Sequence, residues 1–159
     1  MRKIPISKST DPFFMNENEV NLAVAEYLFQ RGVEVKNVLV DKETGIDVLG
    51  LKMGQTLIIE SKGSMVNNQH EFVFEHGQLT THVSQQVHYL MKKYQSKYNS
   101  SILFMANPDI PRIHKRVDEL AEALDALGIV RLWVQKNGAV RLVYPEQLKE
   151  VLVKLELIE

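Results

Sequence analysis

Gly45-Ile46-Asp47-Val48-Leu49-Gly50-Leu51-Lys52-Met53-Gly54-Gln55-Thr56-Leu57-Ile58-Ile59-Glu60-Ser61-Lys62-Gly63 is the stretch around which the chain is organised. Two short runs rich in Ile, Leu and Val flank Met53-Gly54, where a tight hairpin turn belongs. With those two residues as the loop, Lys52 faces Gln55, and the pairing continues outward as Leu51–Thr56, Leu49–Ile58 and Asp47–Glu60. Directly opposed residues of an antiparallel ladder point to one face, with Cβ atoms about 4.5–5.5 Å apart. Two carboxylates side by side at the end of an apolar hairpin repel each other, and a divalent cation would offset the repulsion. Lys62 lies two residues beyond Glu60, so strand alternation brings it to the same face. Opposite it stands Gly45, which has no side chain to crowd it.

An acid–acid–lysine cluster suits metal-dependent hydrolysis of a phosphodiester. Mg²⁺ prefers oxygen ligands and is usually held by one or two carboxylates plus substrate phosphate. A lysine beside it can position the attacking water and counter developing negative charge. Asp47, twelve intervening residues, and then Glu60-Ser61-Lys62 resemble the signature of the PD-(D/E)XK nuclease superfamily. The proline that usually precedes the first acid is Ile46 here. Glu-x-Lys alone is common by chance; its position after Leu57-Ile58-Ile59, in register with an acid and followed by Gly63, makes it specific. The resemblance implies an α/β/α three-layer sandwich with a mixed central sheet and a restriction-endonuclease-like core. It also implies a Mg²⁺- or Mn²⁺-dependent nuclease acting on DNA. Asp47, Glu60 and the Ser61 backbone carbonyl would hold the metal, and Lys62 would act on the water.

Composition sets the frame for that reading. A chain of 159 residues is long enough to bury a core as one domain. With 45% apolar and 25% charged residues it reads as an ordinary globular protein. No run has the length of a membrane span, and Met1-Arg2-Lys3-Ile4-Pro5 lacks the apolar core of a signal peptide. The absence of cysteine excludes disulfides and thiolate metal sites and fits a cytoplasmic location. A net charge of −1 argues against tight non-specific DNA binding and is compatible with a small basic face.

Residues 1–15 read as a loosely ordered arm, with turn chemistry at Ser9-Thr10-Asp11-Pro12. Asn16 then caps a helix over 17–31, with Glu19 placed as in a capping box and Val20, Val24, Tyr27 and Leu28 as the apolar stripe. Members of the superfamily often carry a further Glu on this helix, aimed at the metal. Glu19 borders the stripe and fits that role, although it equally serves the cap; Glu17, Glu26 and Asn21 are alternatives. Val33–Val40 alternates as a strand, and Asp41-Lys42-Glu43-Thr44-Gly45 is a polar turn into the hairpin.

Residues 63–79 are the least regular part: a loop that overhangs the site, or an extra hairpin using Phe72 and Phe74. A long helix follows from about Thr81 to Lys97, with Val83, Val87, Leu90, Met91 and Tyr94 as its stripe. Some superfamily members carry Gln-x-x-x-Tyr on this helix; Gln85 and Tyr89 match, and Gln86 is equally available. His76, His82 and His88 show no recognised zinc spacing, and Lys92, Lys93 and Lys97 make a basic face. Beyond lie a buried strand at 101–106, a helix at 112–127, a hairpin of strands 129–134 and 139–143, and a last helix at 145–156.

The expected activity is hydrolysis of phosphodiester bonds, with Asp47, Glu60, Lys62, Glu19 and Gln85 as its residues. Cleavage of both strands by so small a domain would call for a homodimer. Two other classes fit the same residues: a catalytically silent nuclease-like module that binds nucleic acid or protein, and a structural protein whose charges form a salt-bridge cluster.

Overall fold

A computed structural model describes residues 3–39, 45–95 and 100–159. The elements in chain order are β1 (Lys3–Pro5), α1 (Glu17–Gln30), β2 (Glu34–Val38), β3 (Val48–Lys52), β4 (Gln55–Ser61), β5 (Phe72–Phe74) and α2 (His76–Tyr94). They continue as β6 (Ile102–Pro108), α3 (Pro111–Asp118), α4 (Ala121–Ala126), β7 (Ile129–Val134), β8 (Val140–Val143) and α5 (Lys149–Lys154). Residues 41–44 of the expected polar turn, the strand end at Val40, the helix end at Lys97 and the first two residues of the arm lie outside the described residues.

Strand alternation builds the layers. In β4, Leu57 and Ile59 face a core shared with Val20, Val24 and Leu28 of α1 and Leu152 of α5. Ile58 faces the other way, into a core with Leu79, Val83 and Leu90 of α2, Ile113 and Val117 of α3 and Leu124 of α4. The result is a three-layer α/β/α sandwich around one six-stranded mixed sheet of order β2-β3-β4-β6-β7-β8. β3 and β4 are antiparallel, with Lys52 opposite Gln55 and Leu49 opposite Ile58, as the hairpin reading requires. Met53 and Gly54 make the turn, both with positive φ. β4, β6 and β7 run parallel. The two parallel joins are crossovers, the first through α2 and the second through α3 and α4, since parallel neighbours cannot be joined by a tight turn.

Three local expectations change. Residues 3–15 are not a loose arm: β1 pairs antiparallel with β5, and Arg112 of α3 holds both carboxylate oxygens of Asp11 at 2.7 Å. The Asp11 side chain is fully buried, and a bidentate guanidinium pair is the geometry that satisfies such a carboxylate. Of the two readings of 63–79, the Phe72–Phe74 strand is the one observed, with β1 as its partner. α2 begins at His76 rather than near Thr81, because Leu79 and Gln78 extend the buried stripe by one turn. The helix expected at 112–127 breaks at Glu119–Leu120, which leaves Leu120 exposed and lets Leu124 reach the sheet.

Candidate active site

The hairpin end delivers the two acids as its register demands. The β3–β4 ladder is regular from Lys52–Gln55 to Val48–Ile59, and the next positions are Asp47 and Glu60. Asp47 is held from both sides. Its carbonyl accepts from Leu39 N–H at 2.8 Å, and its Oδ2 accepts from Ser61 N–H at 2.8 Å. Lys62 N–H donates to Ala106 O at 3.1 Å, continuing the parallel ladder to β6. The ladder bonds of Lys62 therefore point to β6, whereas those of Ser61 point to Asp47. In an extended strand the N–H and C=O of one residue share a side, so the Ser61 carbonyl is directed toward Asp47 as well.

α1 brings in a third acid, and it is Glu17. Gly63 makes this possible: a Cβ there would lie 2.5 Å from both Asn16 C and Glu17 N, so only glycine admits the start of the helix. Ser64 N–H donates to Met15 O at 2.7 Å, and Asn16 bridges to Met65, which seats the helix start beside Lys62. Glu17 then lines one pocket of about 420 Å³ together with Leu39, Gly45, Asp47, Glu60, Lys62, Tyr89, Lys92 and Lys93. Gly63→Ala should push Glu17 away and cost about 1–3 kcal/mol in packing strain. A thermal melt should show it as a drop of about 2–4 °C per kcal/mol for a chain of this size.

Glu19 is not at the site. Its Oε1 accepts from Asn16 N–H at 3.1 Å while Asn16 Oδ1 accepts from Glu19 N–H at 2.9 Å, a complete capping box that turns its side chain to solvent. Glu26 is also exposed, and Asn21 is buried with its Nδ2 on Leu39 O. Gln85 is likewise displaced from its expected role, since it sits on the exposed face of α2 in a shallow groove outside the pocket. Gln86 points inward instead. It is fully buried and donates to Glu60 O, Ala106 O and Asn107 Oδ1 at 3.1 Å each, and accepts from Asn107 Nδ2 at 3.0 Å. It ties α2 to the backbones of β4 and β6. Gln86→Leu should therefore cost about 1–3 kcal/mol by stripping buried polar groups of a partner. Gln85→Ala should stay within about 0.5 kcal/mol, and paired denaturant curves would separate the two.

Burial shapes the charge state. Asp47 and Glu60 are 8% and 9% exposed. Desolvation, followed by the Asp47 charge, pushes Glu60 up to about 8. Desolvation and the same charge push Glu17 up to about 7. Asp47 is also raised, by desolvation, against the opposing bond from Ser61 N–H. The three groups act on one another: the Asp47 charge raises both Glu60 and Glu17. Near pH 7 the metal-free Glu60 carboxyl is therefore largely protonated. Among the described residues no three histidine or acidic side chains gather around one point as a preformed cage. An oxygen-only set of two adjacent carboxylates and a directed carbonyl is instead what Mg²⁺ or Mn²⁺ accepts, with waters and phosphate completing the shell. The residues present fit such an ion.

A smaller pocket of about 210 Å³ lies on the other side of Lys62 and Glu17, lined by Gly63, Met65, Val66, Asn67, Phe74 and His82. His82 packs edge-on against Phe74, its ring centroid 4.4 Å away, and burial and the Lys62 charge push it down to about 4. It stays neutral near pH 7, consistent with a packing role rather than a cationic one.

No family model matches the chain and no curated protein matches its sequence. Among solved structures, an fdxN element excision controlling factor protein from Anabaena variabilis superposes with a TM-score of 0.51 at 14% identity, covering 81% of this chain and 99% of that one. At that identity the likeness is one of fold, and it extends over nearly the whole of the neighbour.

Proposed function

We propose that this protein is a metal-dependent nuclease of the PD-(D/E)XK type, hydrolysing phosphodiester bonds in DNA. The observation that carries the reading is the placement of Asp47, Glu60 and Lys62, with Glu17, in one solvent-open pocket at a strand end. Burying Asp47 and Glu60 beside Glu17 costs desolvation that packing does not repay, and sites where environment raises carboxyl pKa values this far are enriched in function. Asp47, Glu60 and the Ser61 carbonyl would hold Mg²⁺ or Mn²⁺. The bound ion supplies Lewis-acid stabilisation of the phosphoryl oxygens. Lys62 orients the attacking water and faces the charge that develops on phosphorus. The water oxygen bonds to phosphorus as the phosphorus–oxygen bond to the sugar breaks; the attacking water's proton passes to solvent water, and the departing sugar oxygen takes a proton from solvent to leave as a hydroxyl. Glu17 lines the same pocket as Asp47 and would bear on the metal shell from the start of α1. DNA as the polymer is supported by the neighbour of the same fold, which is described as controlling the excision of an element.

The test is incubation with supercoiled plasmid, linear duplex, single-stranded DNA and RNA, each with Mg²⁺, Mn²⁺ or EDTA. Cleavage of at least one DNA substrate with metal, and none with EDTA, is expected. Metal binding without cleavage of any substrate would leave a silent binding module in its place.

A further inference from the structure

We propose, resting on the nuclease reading above, that the pocket takes its phosphate from an unpaired strand rather than from intact duplex. One nucleotide would enter with its base on Tyr89 and its flanking phosphates on Lys92 and Lys93. The acids are recessed, at 8% and 9% exposure, so the scissile phosphate must come down to them. The pocket they share is about 420 Å³, near the low end of the roughly 300–1,000 Å³ of small-ligand sites. That is room for a single nucleotide, walled by the start of α1, the Gly45 side of the hairpin and α2. A base still paired to a second strand cannot follow its phosphate into such a space.

α2 supplies the surface that an unpaired nucleotide needs. Tyr89 is 46% exposed and lines both the pocket and the shallow groove beyond it, so its ring stands at the junction of the two. Lys92 Nζ lies 5.7 Å from the Tyr89 ring centroid, and Lys93 lines the pocket beside it. Past Tyr89, Gln85 and His88 line the groove with groups that bond sugar and phosphate without reading sequence. An aromatic platform flanked by lysines is the usual recognition element for single strands, because every base has a π-face. A single-stranded substrate also needs only one active site, and hence no pairing of two copies.

Fluorescence anisotropy with a labelled oligodeoxynucleotide of about 15 nucleotides, single-stranded or annealed to its complement, tests this. It would be run in Ca²⁺ and in EDTA. The single strand should bind at least about tenfold more tightly than the duplex, and Tyr89→Ala should weaken it by about tenfold while Tyr89→Phe stays close to wild type. Lys92→Ala and Lys93→Ala should each lower the salt slope of binding by about 0.7, one phosphate contact on a single strand. Tyr89 is exposed, so its variants should melt as wild type does. Equal or tighter binding of duplex, or no effect of Tyr89→Ala, would overturn the inference. Cleavage is read separately. Selective single-strand binding without cleavage keeps this inference and loses the hydrolytic reading. Duplex cleavage at full rate in Tyr89→Ala keeps the hydrolytic reading and loses this one.

Discussion

Lys62→Ala should abolish most phosphodiester hydrolysis, by about 10²–10⁴-fold, while leaving Mn²⁺ affinity within a few-fold of wild type. Lys62 shares the pocket with Asp47 and Glu60 but is a cation itself, so it is not a metal ligand. A group whose contribution appears only in the transition state lowers turnover without weakening ground-state binding. Lys62→Arg should not rescue. The guanidinium is planar and larger, and the lysine stands between two pockets of fixed shape, with Glu17 lining both. Cleavage rates beside calorimetric Mn²⁺ titration of the same variants provide the check. Full activity in Lys62→Ala would exclude the mechanism while leaving the fold intact.

The second large effect is on stability against pH, and its sign follows from the direction of the shifts. Glu60 and Glu17 are raised on folding, from 4.5 to about 8 and about 7. Such groups favour the folded state below their unfolded value, and that advantage is lost as pH rises through the folded one. The metal-free protein should therefore lose stability between about pH 6.5 and pH 8.5. His82, lowered on folding, acts in the opposite sense below pH 6.5 and leaves this window clean. Allowing for partial solvent screening, the loss is about 2 kcal/mol, or about 4–8 °C in Tm. Glu60→Gln should remove most of it and melt higher than wild type at pH 8.5. Mn²⁺ should reverse the slope, because ligands must lose their protons to bind it. A wild-type Tm that is flat across the window, with or without Mn²⁺, would contradict the charge state assigned to the cluster.

The central hairpin was legible because its two signals are local: period-two apolar runs and a two-residue turn determine the register, and the register alone puts Asp47 opposite Glu60. The three layers followed from helix and strand periodicity, and the parallel joins from the lengths of the crossovers. The helix acid was harder to read. Asn16 and Glu19 spell a capping box, and a side chain bonded back to the helix start is not free to reach a metal. Glu17 stands one turn before Val20 and Asn21 and two turns before Val24 on the buried face, a signal that was in the sequence and was outweighed by the border position of Glu19. Gln86 could have been chosen over Gln85 in the same way, since it continues the buried row Leu79, Val83, Leu90. What no local pattern carries is pairing across long separations. β1 pairs with β5, and Asp11 with Arg112 across 101 residues, and neither contact leaves a local signal.

Asp47 and Glu60 together are proposed to hold a divalent cation. Calorimetric titration of Mn²⁺ into wild type, Asp47→Asn and Glu60→Gln at pH 8 tests it most directly. Wild type should show a binding event that is lost or greatly weakened in both variants, while both remain folded and melt no lower than metal-free wild type. Binding that is absent from wild type, or unchanged in the variants, would contradict it.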